Sequence, residues 1–76
     1  MPRYFFHFRG AVNAADEVGE ELADDDSAYQ YGRRIAWELA RNAPPAQNRG
    51  SAIVVTGHAG AALFTISLEG STDPSL

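Results

Sequence analysis

Arg3-Tyr4-Phe5-Phe6-His7-Phe8-Arg9 gathers three of the four phenylalanines and one of the three tyrosines into a single short run. Aromatic bulk at this density favours a β-strand. Side chains alternate along a strand, so Tyr4, Phe6 and Phe8 project one way, while Phe5 projects the other way among Arg3, His7 and Arg9. Both faces of the strand therefore carry apolar bulk. A small chain covers one face with its own helix, and the second face raises the question of a partner.

Working outward from that strand, residues 10–15 read as a turn of small residues, with Val12 beginning a second, weaker strand. Residues 17–22 read as an extended segment returning alongside the first strand, because Gly19 disfavours a helix and the helix-start signal comes only afterwards. That signal is Asp24-Asp25-Asp26-Ser27, in which one side chain caps the first turn and the other carboxylates sit at the positive end of the helix dipole.

A helix is predicted over residues 25–42, where Ala28, Tyr31, Gly32, Ile35, Ala36 and Leu39 recur at spacings of three and four as a sheet-facing stripe. Gly32 costs about 1 kcal/mol against alanine inside a helix, so its use is to let a bulky sheet residue such as a phenylalanine approach the backbone. Asn42 and the following Ala43-Pro44-Pro45 end the helix. Residues 46–50 read as a polar loop. Residues 51–56 form a β-branched strand, Gly57-His58-Ala59-Gly60 a turn, and residues 61–68 a strand with Phe64, Ile66 and Leu68 on one face. The order is ββαββ: an α+β fold with an antiparallel sheet of about four strands and one helix on one face. Residues 1–68 make a single domain and residues 69–76 a flexible C-terminal tail.

Size and composition narrow the class. The 76 residues bury roughly 60% of the unfolded chain's surface, which makes stability marginal. With 45% hydrophobic residues the chain lies well above the composition of disordered segments. The absence of cysteine excludes disulfides, thiolate zinc sites and cysteine nucleophiles. The apolar runs are too short to span a bilayer, and the Phe-rich start lacks the form of a signal peptide, so a soluble, cytoplasmic protein is expected. Ten acids against six arginines and no lysine give a net charge of -4, which weighs against nucleic acid as the partner.

The opening Met1-Pro2-Arg3-Tyr4-Phe5-Phe6-His7 resembles the start of a family of short bacterial proteins catalogued only as a domain of unknown function. The resemblance continues through Asp16-Glu17-Val18-Gly19-Glu20-Glu21-Leu22, a helix carrying Ala28, Arg33-Arg34, Ala36 and Glu38-Leu39, and a closing β-hairpin, and covers roughly residues 1–68. This chain departs from the family pattern at Gly57 and His58, where the resemblance implies an acidic residue. It implies the fold and no activity, cofactor or catalytic residue.

Candidate chemistry is sparse. His7 and His58 are the only imidazoles, and a general base needs a substrate proton and usually an orienting partner in reach. A partly exposed strand residue and a turn residue account for them better. The seven acids between Asp16 and Asp26 could hold a hard cation, but their spacing does not match a calcium loop, and a solvated loop with a helix cap accounts for them. No phosphate loop, nucleophile elbow or paired-histidine motif is present, so no enzyme and no cofactor is expected.

The helix carries the more informative set. Tyr29, Arg33 and Trp37 are spaced four apart on a face turned away from Ile35, and these residue types are enriched at binding hot spots. The expected function is a non-enzymatic interaction module that self-associates as a homodimer or meets another protein. The candidate interface is Phe5 and His7 on the sheet, or Tyr29, Arg33 and Trp37 on the helix. The alternative is an antitoxin-like or nucleic-acid-binding regulator that uses Arg3, Arg9, Arg33, Arg34 and Arg41 as a local patch. A third reading is a small-ligand or metal-binding protein that uses His7 and the acidic segment.

Overall fold

The aromatic run forms the strand β1 (Arg3–Arg9), followed by β2 (Glu20–Glu21), α1 (Asp25–Arg41), α2 (Pro45–Asn48), β3 (Ala52–Thr56) and β4 (Ala62–Ser67). The computed structural model describes residues 1–74. The strands lie in the order β2-β1-β3-β4 with every neighbouring pair antiparallel, and α1 packs across one face. This is the expected ββαββ arrangement. The molecule is a slab of 36 × 29 × 16 Å. Among the described residues, no helix is long and apolar enough to cross a membrane.

The register aligns apolar rows under the helix. Phe6 lies opposite Val55 and Phe8 opposite Ile53, and on the other side Val55 meets Phe64 and Ile53 meets Ile66. Tyr4, Ala28, Ala36, Ile53, Val55 and Leu68 form the buried core, with Phe6, Phe8, Ile35, Phe64 and Ile66 packed against it. The Tyr4 hydroxyl reaches the helix and donates to Asp25 Oδ1 at 2.7 Å. That hydrogen bond, with burial and the negative charge of Asp25 and Asp24, pushes the phenol up to about 12.

Both ends of α1 are built by side chains. Asp24 is the N-cap, its carboxylate accepting from the Ser27 amide at 2.8 Å. The Ser27 backbone and hydroxyl together hold the Asp24 carboxyl below its ordinary range, against the upward pull of desolvation. At the other end Asn42 donates its amide to Leu39 O and its Nδ2 to Glu38 O, closing carbonyls that the helix leaves open.

Four expectations need correction. Val12 is exposed in a bend, and the chain instead bridges Phe8 through Ala14 two residues later. The returning segment is extended as expected, but only Glu20 and Glu21 pair with β1. The loop expected over residues 46–50 contains α2, which starts immediately after Pro44, since proline suits a first helical turn. Asn48 Nδ2 donating to Ala40 O and Ser51 Oγ donating to Gln47 O fasten it to α1 and to the residue that precedes β3. Finally, Tyr31 and Leu39 lie at the margin of the helix stripe, 37% and 41% exposed, rather than beneath it.

After β4 the Ser71 amide donates to Leu68 O and its hydroxyl to Ser67 O. Asp73 and Pro74 line one hollow with Arg34, Trp37 and Arg41. The tail expected over residues 69–76 ends in residues 75 and 76, which lie outside the described residues.

Gly32 sets the helix-to-sheet distance. A Cβ there would stand 2.7 Å from Ile66 Cδ1 and 3.1 Å from Val55 Cγ2, so the close neighbours are aliphatic, with Phe6 further off at 3.7 Å. Alanine gains about 1 kcal/mol in helix propensity, while overpacking costs about 1–3 kcal/mol. The Ile66 terminus can swing aside, but Val55 is fully buried at the centre of the sheet and cannot. Urea denaturation of Gly32→Ala is expected to show a net loss of about 1 kcal/mol; a gain would show that the helix does not press on Val55.

Candidate interaction surface

The face of the sheet turned away from α1 carries the half-buried Phe5 and His7 of β1, the buried Val54 and half-buried Thr56 of β3, and the exposed Leu63 and Thr65 of β4. Phe5 lies opposite Thr56, His7 opposite Val54, and Val54 opposite Thr65. The Phe5 and His7 rings lie nearly parallel, 13° apart with centroids at 6.4 Å. At the far end the β3–β4 pairing steps from Val55–Phe64 to Thr56–Ala62, and this irregularity leaves Leu63 39% exposed. An open groove of about 530 Å³ runs between the 10–15 turn and the hairpin turn, lined by Phe5, His7, Thr56 and His58 among others.

His7 is held from both sides. Its Nδ1 accepts from the Asp16 amide at 3.0 Å, so the ring proton sits on Nε2, which donates to Thr56 Oγ1 at 3.0 Å. Both ring nitrogens are thus used inside the fold. Asp16 in turn accepts the Phe6 amide at Oδ2 (3.1 Å) and the Val18 and Gly19 amides at Oδ1 (3.0 Å each). Partial burial pulls the Asp16 carboxyl upward, but the Gly19, Phe6 and Val18 amides outweigh it and leave the group below its ordinary value. Gly19 makes this turn possible: its φ is 76°, and a Cβ would stand 2.8 Å from Tyr4 O.

The acidic segment is therefore largely structural. Asp16 satisfies backbone amides, Glu21 pairs with Arg3 at 3.0 Å, Asp24 caps α1 and Asp25 accepts from Tyr4. Among the described residues, no three histidine or carboxylate groups converge to hold a metal ion.

On the helix, the Tyr29 ring meets Phe64 edge-on with centroids 5.2 Å apart, which places this flank of α1 over β4. Arg33 donates to Gln30 Oε1 at 3.3 Å. Trp37 is half-buried beside Arg34 and Arg41. Phe5 and His7 thus lie on one side of the sheet and Tyr29, Arg33 and Trp37 on the other, and neither Phe5 nor Trp37 belongs to the buried core. The arginines divide in the same way: Arg3 and Arg9 alternate with the core residues of β1, whereas Arg33, Arg34 and Arg41 stand on α1. Sequence reasoning missed Asp16, Leu63 and Thr65. Of these only Asp16 carried a local signal, an aspartate three residues before a glycine, which suits a side-chain-closed turn.

A family model described as "Domain of unknown function (DUF6894)" matches residues 3–69. No curated protein and no solved structure matches the chain.

Asp16→Ala leaves three amides without their acceptor, and because the site is partly exposed the expected loss at neutral pH is about 1–2 kcal/mol. The folded-state carboxyl titrates below the ordinary aspartate value. Its stabilisation is therefore complete above that value and disappears as pH falls through the lower, folded one. Urea midpoints measured from pH 7 down to about pH 2 should converge for the two proteins at the acid end; a gap that stays constant would show that Asp16 acts without its charge.

Proposed function

The chain belongs to the DUF6894 family, and we propose that it is a small non-enzymatic interaction module that associates with a second copy of itself. The observation that carries this reading is the one-sided cover of the sheet. α1 shields only the Tyr4, Phe6 and Phe8 side, and bulky side chains remain at the surface on both sides: Leu63 on the helix-free face, Tyr29, Tyr31 and Leu39 along the helix margins. Apolar surface of this kind, rimmed by polar groups, favours burial against another protein.

Two further arrangements support the reading. The two ring nitrogens of His7 are engaged by Asp16 and Thr56, so the imidazole has no free nitrogen with which to act on a substrate. The arginines are spread over both sides of an acidic chain, and two of them are paired, Arg3 with Glu21 and Arg49 with Glu69. This dispersal favours a protein partner over the phosphates of a nucleic acid.

Sedimentation equilibrium from about 10 μM to about 1 mM tests the proposal. The mass is expected to rise from the monomer value of 8.2 kDa toward twice that. A constant monomer mass over the whole range would overturn it.

A further inference from the structure

We infer that the outer edge of β4 is the site of self-association, with two copies pairing antiparallel about Thr65 into one continuous sheet; this rests on the self-association proposed above. The two edges of the sheet are treated differently. Along β1, Leu22 donates to Pro2 O, β2 pairs with Tyr4, Asp16 takes the Phe6 amide, and Ala14 both donates to and accepts from Phe8. The β1 edge is occupied at every second residue.

At β4 the Leu68 amide donates inward to Ser51 O at 3.0 Å. Bonding direction alternates along an antiparallel strand, so Ile66 and Phe64 also point inward while Ser67 and Thr65 point out. Ser67 O receives the Ser71 hydroxyl, and no strand lies beside Thr65 among the described residues. Exposed edges are ordinarily guarded by charge, proline or a bulge. β4 reads Ala-Leu-Phe-Thr-Ile-Ser, with no charge and no proline, and its one irregularity lies at the end nearest the hairpin turn, before Phe64.

The occupant is a second copy because this strand is complementary to itself. A two-fold axis through Thr65 sets Thr65 against Thr65 of the second copy, a favourable cross-strand pair, and sets Phe64 against Ile66. The apolar row under α1 then continues across the junction, roofed by the Tyr29 that already packs on Phe64. Leu63 meets Ser67 on the opposite face. A strand of this length spans about 20 Å, and on a slab 16 Å thick it offers on the order of 300 Å² per copy. Stable interfaces bury about 800 Å² per partner, so the pairing is weak and depends on concentration.

The test combines sedimentation with amide hydrogen exchange on the intact chain. Thr65→Pro removes an outward amide without touching a β3–β4 bond, and Thr65→Lys leaves the backbone intact while placing like charges at the axis; circular dichroism confirms that each folds. Both variants should weaken association about tenfold or more, and Thr65 amide exchange in the wild type should slow as concentration rises. A wild-type dimer unaffected by either variant overturns the β4 site and leaves self-association standing. A wild-type monomer throughout overturns both. A synthetic peptide of residues 61–69 should compete with the dimer; a scrambled peptide that protects Thr65 equally well would overturn the commitment to a second copy.

Discussion

The closeness of α1 to the sheet rests on three small residues, Ala28, Gly32 and Ala36, which are the buried positions of the helix. Beneath them Ile53 and Val55 are the largest fully buried side chains. A contact stripe this narrow leaves no room for bulk at its centre, so the large helix residues are displaced to its shoulders. Tyr31 leans on Phe6 toward β1, with centroids 4.9 Å apart, and Tyr29 leans on Phe64 toward β4. Shoulder residues are covered on one side only, so tyrosines that pack well are still more than one third exposed. The surface available to a partner is thus a consequence of how the core is built.

A similar substitution of a small device for a large one occurs along β1. Only two residues of β2 pair with it, too few to close a seven-residue strand. The Asp16 carboxylate stands in for a strand at Phe6 and also closes the turn through Val18 and Gly19. Because the Asp16 amide simultaneously orients His7, the edge of the sheet and the polar centre of its open face are one network. This explains why a histidine on the helix-free face is a structural group: its neighbours fix its tautomer and its direction.

What was legible in the sequence follows from which signals are periodic. The alternating aromatics of residues 3–9, the spacing of Ala28, Gly32 and Ala36, the capping run Asp24-Asp25-Asp26-Ser27 and the β-branched run of β3 each repeat a geometric period or carry a dedicated end signal, and each led to the observed element. Asp16 has no period, because a side chain acting as a strand is one residue long. α2 is a single turn of four residues, too short to lay down an apolar repeat. The separation of Phe5 and His7 from Tyr29, Arg33 and Trp37 follows only from the sheet's placement under α1. The outward orientation of Thr65 needed the register, since one residue's slip would exchange its inward and outward groups.

The unequal edges also bear on how far the proposed association could proceed. β2 consists of two exposed glutamates, Glu20 and Glu21, and Asp16 lies in the same border. A sheet with an acidic, occupied edge and a neutral, open one can add a strand on one side only. If the open edge is joined to another open edge, the pairing is isologous and closes, leaving an acidic border at each end of the combined sheet. Two such borders repel each other and offer few free backbone groups, so neither extends the assembly. An open edge joined to an acidic one would instead propagate, and that pairing would set the exposed glutamates of β2 beside a neutral strand. The charge of this border would therefore favour a closed pair over a fibre if the proposed association forms.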